Sequence, residues 1–417
     1  MPRLRTLTGG RDATTAVIPG KGTLSIGHPG TACPPGYEWR ALSEFARLES
    51  GHTPTRARSE YWDGSIPWLS IPDATNNHGR VIFDTAQHVS ETGVANSSTR
   101  LLPPGTVCLS RTASVGYVIQ MGVEMCTSQD FVNWVCGPDL NPAYLRYILM
   151  FEQESIRRFA HGTTHQTMYY PEAKALHAMM PSRLIQDSVA ELLGALDDKI
   201  AVNARLNLTL DQLGSAIVAG SLGETSVPLG SIARITMGTS PEGESLNENA
   251  QGVPFYQGTR DFGFRFPSRR VHTTNPIRRA AVADILVSVR APVGELNVAQ
   301  EECCVGRGLA AVQSSIGTQS TLLHQLKLRP QVWAQFNASG TIFGSIKAGD
   351  LHDIPVMEVP GKEREMVESN VSSIERTIGG LLRESATLAR VRNMILPKLM
   401  SGELRVRDAE KQVEEVV

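Results

Sequence analysis

Two rhythms of apolar and polar positions alternate along this chain. From Pro35 onward, short β-type runs such as "RVIF" and "TVCLS" alternate with turn residues. Between 181 and about 220 the spacing changes: Leu192, Leu196, Ile200, Leu206, Leu210, Leu213 and Ile217 recur at helical intervals, with few Gly or Pro among them. The β-type pattern returns after Gly223 and lasts to about 359. Residues 362–400 are helical again, with Val367, Val371, Ile374, Ile378, Leu381, Leu388, Ile395 and Leu399 in a four-three rhythm interrupted at Ser385 and Arg392. A four-three seam is what two helices need to pack along their length. The pattern therefore predicts the order globular, long helix, globular, long helix.

The two halves also repeat. "ALSEFARLESGHTP" (41–54) lines up with "PLGSIARITMGTSP" (228–241), and "GSIPWLSIPDA" matches "QGVPFYQGTRD" in pattern. "GTVCLSRTASVG" (105–116) lines up with "ADILVSVRAPVG" (283–294) if one residue is deleted from the second copy. That alignment makes Arg111 and Arg290 equivalent and sets Cys126 opposite Cys304. "GTTHQTM" (162–168) matches "GTIFGSI" (340–346). Blocks kept in order at a nearly steady offset indicate a duplicated unit of about 180 residues.

Each copy exports a long helix whose apolar stripe its own globular part need not cover. Two such helices, each about 40 residues and about 60 Å long, bury both stripes by pairing antiparallel. The fold class expected is α+β: two tandem α/β domains separated by two long helices that form an antiparallel coiled coil. The expected pairing set is Leu192, Leu196, Ile200, Leu210, Leu213 and Ile217 against Val371, Ile374, Ile378, Leu381, Leu388, Ile395 and Leu399. Asn203 and Asn207 lie close to the seam, where they either fix register or face solvent. The expected boundaries are a flexible extension at 1–34, a first domain at 35–180, the central helix at 181–222, a second domain at 223–359, the C-terminal helix at 360–404 and a charged tail at 405–417. Pro397 then falls where the chain bends off the helix pair, and Gly402 caps the turn as Gly223 does in the first copy.

Composition narrows the function. The 417-residue chain exceeds one ordinary core. A net charge of −2 gives no global basic signature, so nucleic-acid binding would need a local stripe of cations. Cys33, Cys108, Cys126, Cys136, Cys303 and Cys304 have no metal-ligand spacing and read as buried free thiols in a reducing compartment. No run has signal-peptide order, and none approaches the ~18 apolar residues of a membrane span, so a cytoplasmic location is expected. "NPAY" (141–144) approaches the loop with which amino-methyltransferases hold a flipped base, but Ala143 replaces a proline and no Gly-rich turn precedes it. It reads as a turn whose Pro142 starts a helix. No phosphate loop and no H-E-x-x-H is present, and Pro72-Asp73 and Pro138-Asp139 are not followed by a nuclease-like Glu-x-Lys, which favours a non-catalytic binding protein.

Three stretches carry a resemblance. "PPGYEWRALSEFARLESGHTP", "YWDGSIPWLSIPDA" and above all the terminal "ILPKLMSGELRV" resemble the specificity subunit of type I restriction–modification enzymes, over about 35–406. The resemblance implies two target-recognition domains, each reading one half of a bipartite asymmetric double-stranded DNA site, and helices that set the spacing. It also implies docking of two modification subunits, with restriction subunits as a further addition. The chain itself would hold no active site, no metal and no cofactor. S-adenosylmethionine would come with the modification subunits, and ATP and Mg with the restriction subunits. The second copy departs in having "VPFYQ" for "IPWLS", and the central helix ends in "IVAGSLGE" without the proline.

Read from the residues alone, the DNA-contact candidates are local. Between 259 and 290 lie Arg260, Arg265, Arg269, Arg270, Arg278, Arg279 and Arg290, against only Asp261 and Asp284, with Phe262, Phe264 and Phe266 interleaved. Arginine suits bidentate contact with phosphate or guanine. The first copy offers the thinner set Arg56, Arg58, Arg80, Arg100 and Arg111. Arg111 and Arg290 precede turns ending in Gly116 and Gly294, and read equally as phosphate contacts or as partners of carboxylates at a helix junction. His165, Gln166 and Thr167, in "HGTTHQT", suit base edges or phosphate, or form a plain polar connection. Two further classes stay open at this level: a structural adaptor that binds no DNA, and a self-sufficient methyltransferase or nuclease.

Overall fold

A computed structural model describes residues 17–112, 114–162, 166–337 and 344–415. The chain divides into two compact units, and the division falls inside both long helices. The first unit comprises Met1–Ile200 with Ala386–Val417, and the second comprises Ala201–Ser385.

In the first unit, the strands Ala46–Ser50, Phe131–Cys136, Val107–Ser110 and Val118–Met121 neighbour one another in that order, with Val81–Ile82 at the edge. In the second unit, Ala233–Met237, Leu309–Ser314, Ile285–Ser288 and Leu296–Val298 repeat the order. A parallel pairing recurs as well: Trp68 faces Cys126 in the first unit and Phe255 faces Cys304 in the second.

These sheets are buried on both faces, so their strands read as unbroken apolar runs. Val107 and Leu109 enter one core and Cys108 the other. Ile285 and Val287 likewise enter one, and Leu286 the other. Burial pushes the Cys126 and Cys303 thiols up to about 12, so both stay protonated at neutral pH.

The central helix spans Arg183–Ser221 and the second long helix Gly361–Met400. In the first unit Val189, Leu193 and Leu196 share a core with Leu388, Val391, Ile395 and Leu399. In the second, Val218 packs with Val367 and Val371. Within each unit, rising numbers on one helix meet falling numbers on the other, so the pair is antiparallel. Leu192, Ile200, Leu210, Ile217, Ile374 and Leu381 are half-buried at its margins, and Ile378 is fully buried.

Leu213 departs from the expected seam. It is 48% exposed and Leu206 41%, whereas Asn203 and Asn207 are buried. The seam runs one residue off the all-leucine line because its polar members are matched. Asn203 donates to Glu384 at 2.8 Å and to Ser385 at 3.3 Å. In the first unit Arg392 donates to Asp197 at 2.5 Å. The residues that interrupt one apolar stripe are therefore partners of polar residues in the other.

Both ends of the chain differ from expectation. Of the proposed flexible extension, residues 1–16 lie outside the described residues. Ile18–Pro19 and Leu24–Ile26 are strands that extend the sheet of Leu176–Pro181 and Tyr37–Ala41, and Leu24 and Ile26 are fully buried. The Glu152 carboxylate holds the turn between them: it accepts N–H bonds from Lys21 (2.7 Å), Gly22 (2.9 Å), Thr23 (2.6 Å) and Leu24 (3.2 Å), plus the Thr23 hydroxyl. A Gly- and Thr-rich stretch can form such an anion-binding nest without any periodicity.

The expected charged tail contains a helix, Val406–Glu414, whose Ala409 is fully buried with Val406 and Val413 against the first unit's core. Pro397 lies inside the last turn of its helix. Gly402, at φ 73°, ends that helix and donates to Leu399. Gly223 does not mirror it: its N–H donates to Glu358 across a strand end.

Candidate nucleic-acid interface

Tertiary structure disperses the basic stretch at 259–290. Arg265 is 4% exposed and ion-paired to Asp211 and, at 2.9 Å, to Glu375 on the two long helices. It holds the second domain's loop against the helices, and burial removes it from any DNA-facing set. Arg269 pairs with Glu301, Arg270 with Asp261 at 3.0 Å and Arg279 with Glu302. The excess positive charge counted along the sequence is thus largely neutralised, mostly by carboxylates outside the counted window. Arg260, Arg278 and Arg290 remain exposed. Of the interleaved phenylalanines, Phe262 packs on the core and Phe264 is 42% exposed.

Asp211, His324 and Glu375 gather their ligand atoms within 4.8 Å of one another, a spacing that could hold a cation. The donor set does not fit one. Lys327 reaches Asp211 at 2.5 and 2.6 Å, Arg265 occupies both carboxylates, and the His324 ring lies between Ser215 and Glu375. Two side-chain cations already supply the charge. The network joins the helix Gln319–Lys327 to both long helices.

In the first unit, Arg56 is exposed and held in place. Its guanidinium lies 3.6 Å from the Trp62 ring centroid and 5.3 Å from that of Trp68, and it donates to Gln87 at 2.8 Å. Stacking fixes the head, and among the described residues no carboxylate pairs with it. Arg58 rests over Tyr61, bonds its hydroxyl at 3.2 Å and lies 3.9 Å from Glu60. Arg111 sits over Tyr170 and donates to the Gln129 carbonyl at 3.0 Å. Trp62 and Gln87 carried no recognisable signal in the sequence; only the fold brings them to Arg56.

The G-x-[ST]-P motifs of both copies meet the same sheet end. Glycine is required there: a Cβ at Gly51 would lie 2.0 Å from the Ser128 carbonyl oxygen, and one at Gly238 2.1 Å from that of Gly306. The next hydroxyls sit over polar side chains, Thr53 on Gln129 and Ser240 on Gln257.

The turn after each buried strand is also shared, though in a register that corrects the alignment. Ser110 accepts from Gly116 and Ser288 from Gly294, both at 3.0 Å. Arg111 donates to Asp130 and Val289 to Gly308, while Met168 donates to Arg111 and Ile346 to Val289. No residue is deleted. Arg111 corresponds to Val289, and Arg290 to Thr112, whose bridge to Thr167 matches that of Arg290 to Ser345.

Of the polar loop, Gln166 is exposed and Thr167 pairs with His161 and Thr112. His165 lies outside the described residues. Asn141 of "NPAY" caps the helix Pro142–Phe151, accepting from Ala143 and Tyr144, and Tyr144 and Tyr147 are buried.

The family of the type I restriction modification DNA specificity domain matches residues 34–212. The MjaIX type I restriction enzyme specificity subunit of Methanocaldococcus jannaschii is 22% identical over 416 residues, covering 90% of this chain and 95% of its own. A second protein of that organism, provisionally named the MjaX specificity subunit, is 26% identical over 299 residues, 64% of this chain and 69% of its own. The fold is that of the S subunit from M. genitalium, at TM-score 0.59 and 16% identity, over 88% of this chain and 98% of that one.

Residues 34–212 match the type I DNA specificity domain, and the relatives that the chain resembles are specificity subunits.

The matched domain is described as one of DNA specificity, and both relatives are named as specificity subunits of restriction enzymes. No described helix is long and apolar enough to cross a membrane.

Proposed function

We propose that the two globular parts, 35–180 and 223–359, each read one half of a bipartite asymmetric site in double-stranded DNA, that the helices set the spacing, and that they dock two modification subunits. The observation that carries this reading is the duplication itself. Two sheets of one topology end in the same set of loops, yet those loops carry different side chains, as two readers of two different half-sites must. Arg56, Arg58, Arg111, Gln166 and Thr167 face the first half-site, and Arg260, Arg278 and Arg290 the second, with Arg269 and Arg270 at its rim. Exposed Leu184, Leu206, Leu208, Leu213, Met366 and Met394 on the long helices support docking of partner subunits there. S-adenosylmethionine comes with the modification subunits, and ATP and Mg with any restriction subunits.

Co-expression with methyltransferase subunits, followed by mapping of methylated adenines across the genome, tests this. One bipartite, asymmetric motif is expected. An assembled complex that leaves the genome unmodified would overturn it.

A further inference from the structure

We propose that Arg56 and Gln87 form one guanine-reading edge in the first unit, so that the half-site read there contains a G·C pair where they meet it. The inference deepens the DNA-reading function above and rests on it.

The edge stands on a rigid floor. Trp62 and Trp68 meet edge to face with ring centroids 4.9 Å apart, and Trp68 is buried with Val89 and Cys126. Each indole N–H is spent on the backbone leading to Arg56. That of Trp68 donates to the His52 carbonyl at 3.1 Å, and that of Trp62 to the Thr55 carbonyl at 3.3 Å. The Arg56 guanidinium then lies 3.6 Å from the Trp62 ring centroid. Gln87 is tied to the same floor: its carbonyl accepts from the Trp68 N–H at 2.9 Å and from the Thr85 hydroxyl at 2.7 Å. Both residues are exposed.

The bond between the two heads decides which atoms are left over. Arg56 Nη2 donates to Gln87 Oε1 at 2.8 Å. A guanidinium has donors only, so the amide turns its oxygen toward it and leaves its own N–H groups beside the remaining guanidinium N–H groups. The combined edge carries donors. In the major groove guanine offers such an edge two acceptors, N7 and O6. Adenine sets an amino donor beside N7, cytosine shows a donor, and thymine one acceptor beside a methyl.

Two observations favour a base over a phosphate. A phosphate contact carries no sequence information and needs only a cation, whereas a fork stacked on a ring and turned by an amide has the fixed plane that a base edge requires. The position also differs between the copies. Two residues past the proline of the shared G-x-[ST]-P motif, the second copy has Gly243. A contact that grips any DNA would serve both halves, while a reader of one half-site need not recur. Nor is the charge already spent: Arg47, Arg58 and Arg100 lie beside carboxylates, but among the described residues none pairs with Arg56.

The test is Arg56→Gln, which replaces a donor-only head by one with a donor and an acceptor. The full chain is assembled with methyltransferase subunits, and methylated adenines are mapped across the genome. One guanine in one half of the motif should lose its selection, with the other half unchanged. Methylation of duplexes carrying guanine or adenine at that position should show discrimination reduced roughly 5- to 150-fold. An unchanged motif overturns the inference; together with a slope of log K against log salt lowered by about 1, it makes Arg56 a phosphate contact instead. A matching melting curve verifies the fold. Should that variant fail to fold, Gln87→Glu serves in its place, setting a carboxylate on the guanidinium and an acceptor in the edge. Selection of a guanine in one half should again be lost, and an unchanged motif overturns the inference. A wild-type complex that leaves the genome unmodified would instead overturn the DNA-reading function itself.

Discussion

Asp211 is where the second unit's charges converge. Burial alone would raise its carboxyl, but Lys327 and Arg265 outweigh burial and hold it below the usual carboxylate range. Such a group contributes stability above its unfolded pKa of about 3.9 and loses it as pH falls through the lower folded value. Asp211→Asn removes that term and leaves Arg265 buried with one carboxylate, a cost of about 3 kcal/mol at neutral pH. Urea unfolding at pH 7 and at acid pH should show the deficit shrinking as pH drops. A deficit that is constant or grows toward acid would refute this account. Arg265 looked like the rest of its arginine-rich stretch; its partners lie 54 and more residues away in sequence, so no local count could separate it from Arg290.

At the scale of elements, the two chain ends show how a lack of periodicity misleads. The hairpin at 18–26 is held by one buried carboxylate, from Glu152, and by two short strands. Glu152→Ala should leave the buried N–H groups of Thr23 and Leu24 and the Thr23 hydroxyl without that acceptor, costing on the order of 3 kcal/mol. Proteolysis within 17–34 should then precede global unfolding. Equal denaturant midpoints and equal protease resistance would show that the hairpin is not tied down in this way. The helix Val406–Glu414 was legible in principle, since Val406, Ala409 and Val413 keep helical spacing, but its charge count masked the pattern. The long helices were read correctly in kind. Their seam was not: apolarity was followed to Leu213, where matched pairs such as Asn203 with Ser385 decide the line.

For the whole molecule, the proposed reading of one half-site by each copy of a duplicated fold is modular. Exchanging 223–359 for the corresponding domain of a relative should change one half of the methylated motif and leave the other half intact. Methylome mapping of the hybrid tests this, and a change in both halves would mean that the two domains do not read independently. That prediction stands on the shared strand order in both units, which survives although the paired sequences have drifted as far as Trp68 from Phe255.

The sequence by itself determined the duplication, the two long helices, the strand-rich domains and the family resemblance, because periodicity and repeated motifs are local and survive divergence. Only the tertiary structure decided which arginines are free, which asparagines line the seam, and that Arg290 corresponds to Thr112 and not to Arg111. Those are facts of pairing, and charge and hydrogen-bond partners are chosen in space among residues that no window of sequence brings together.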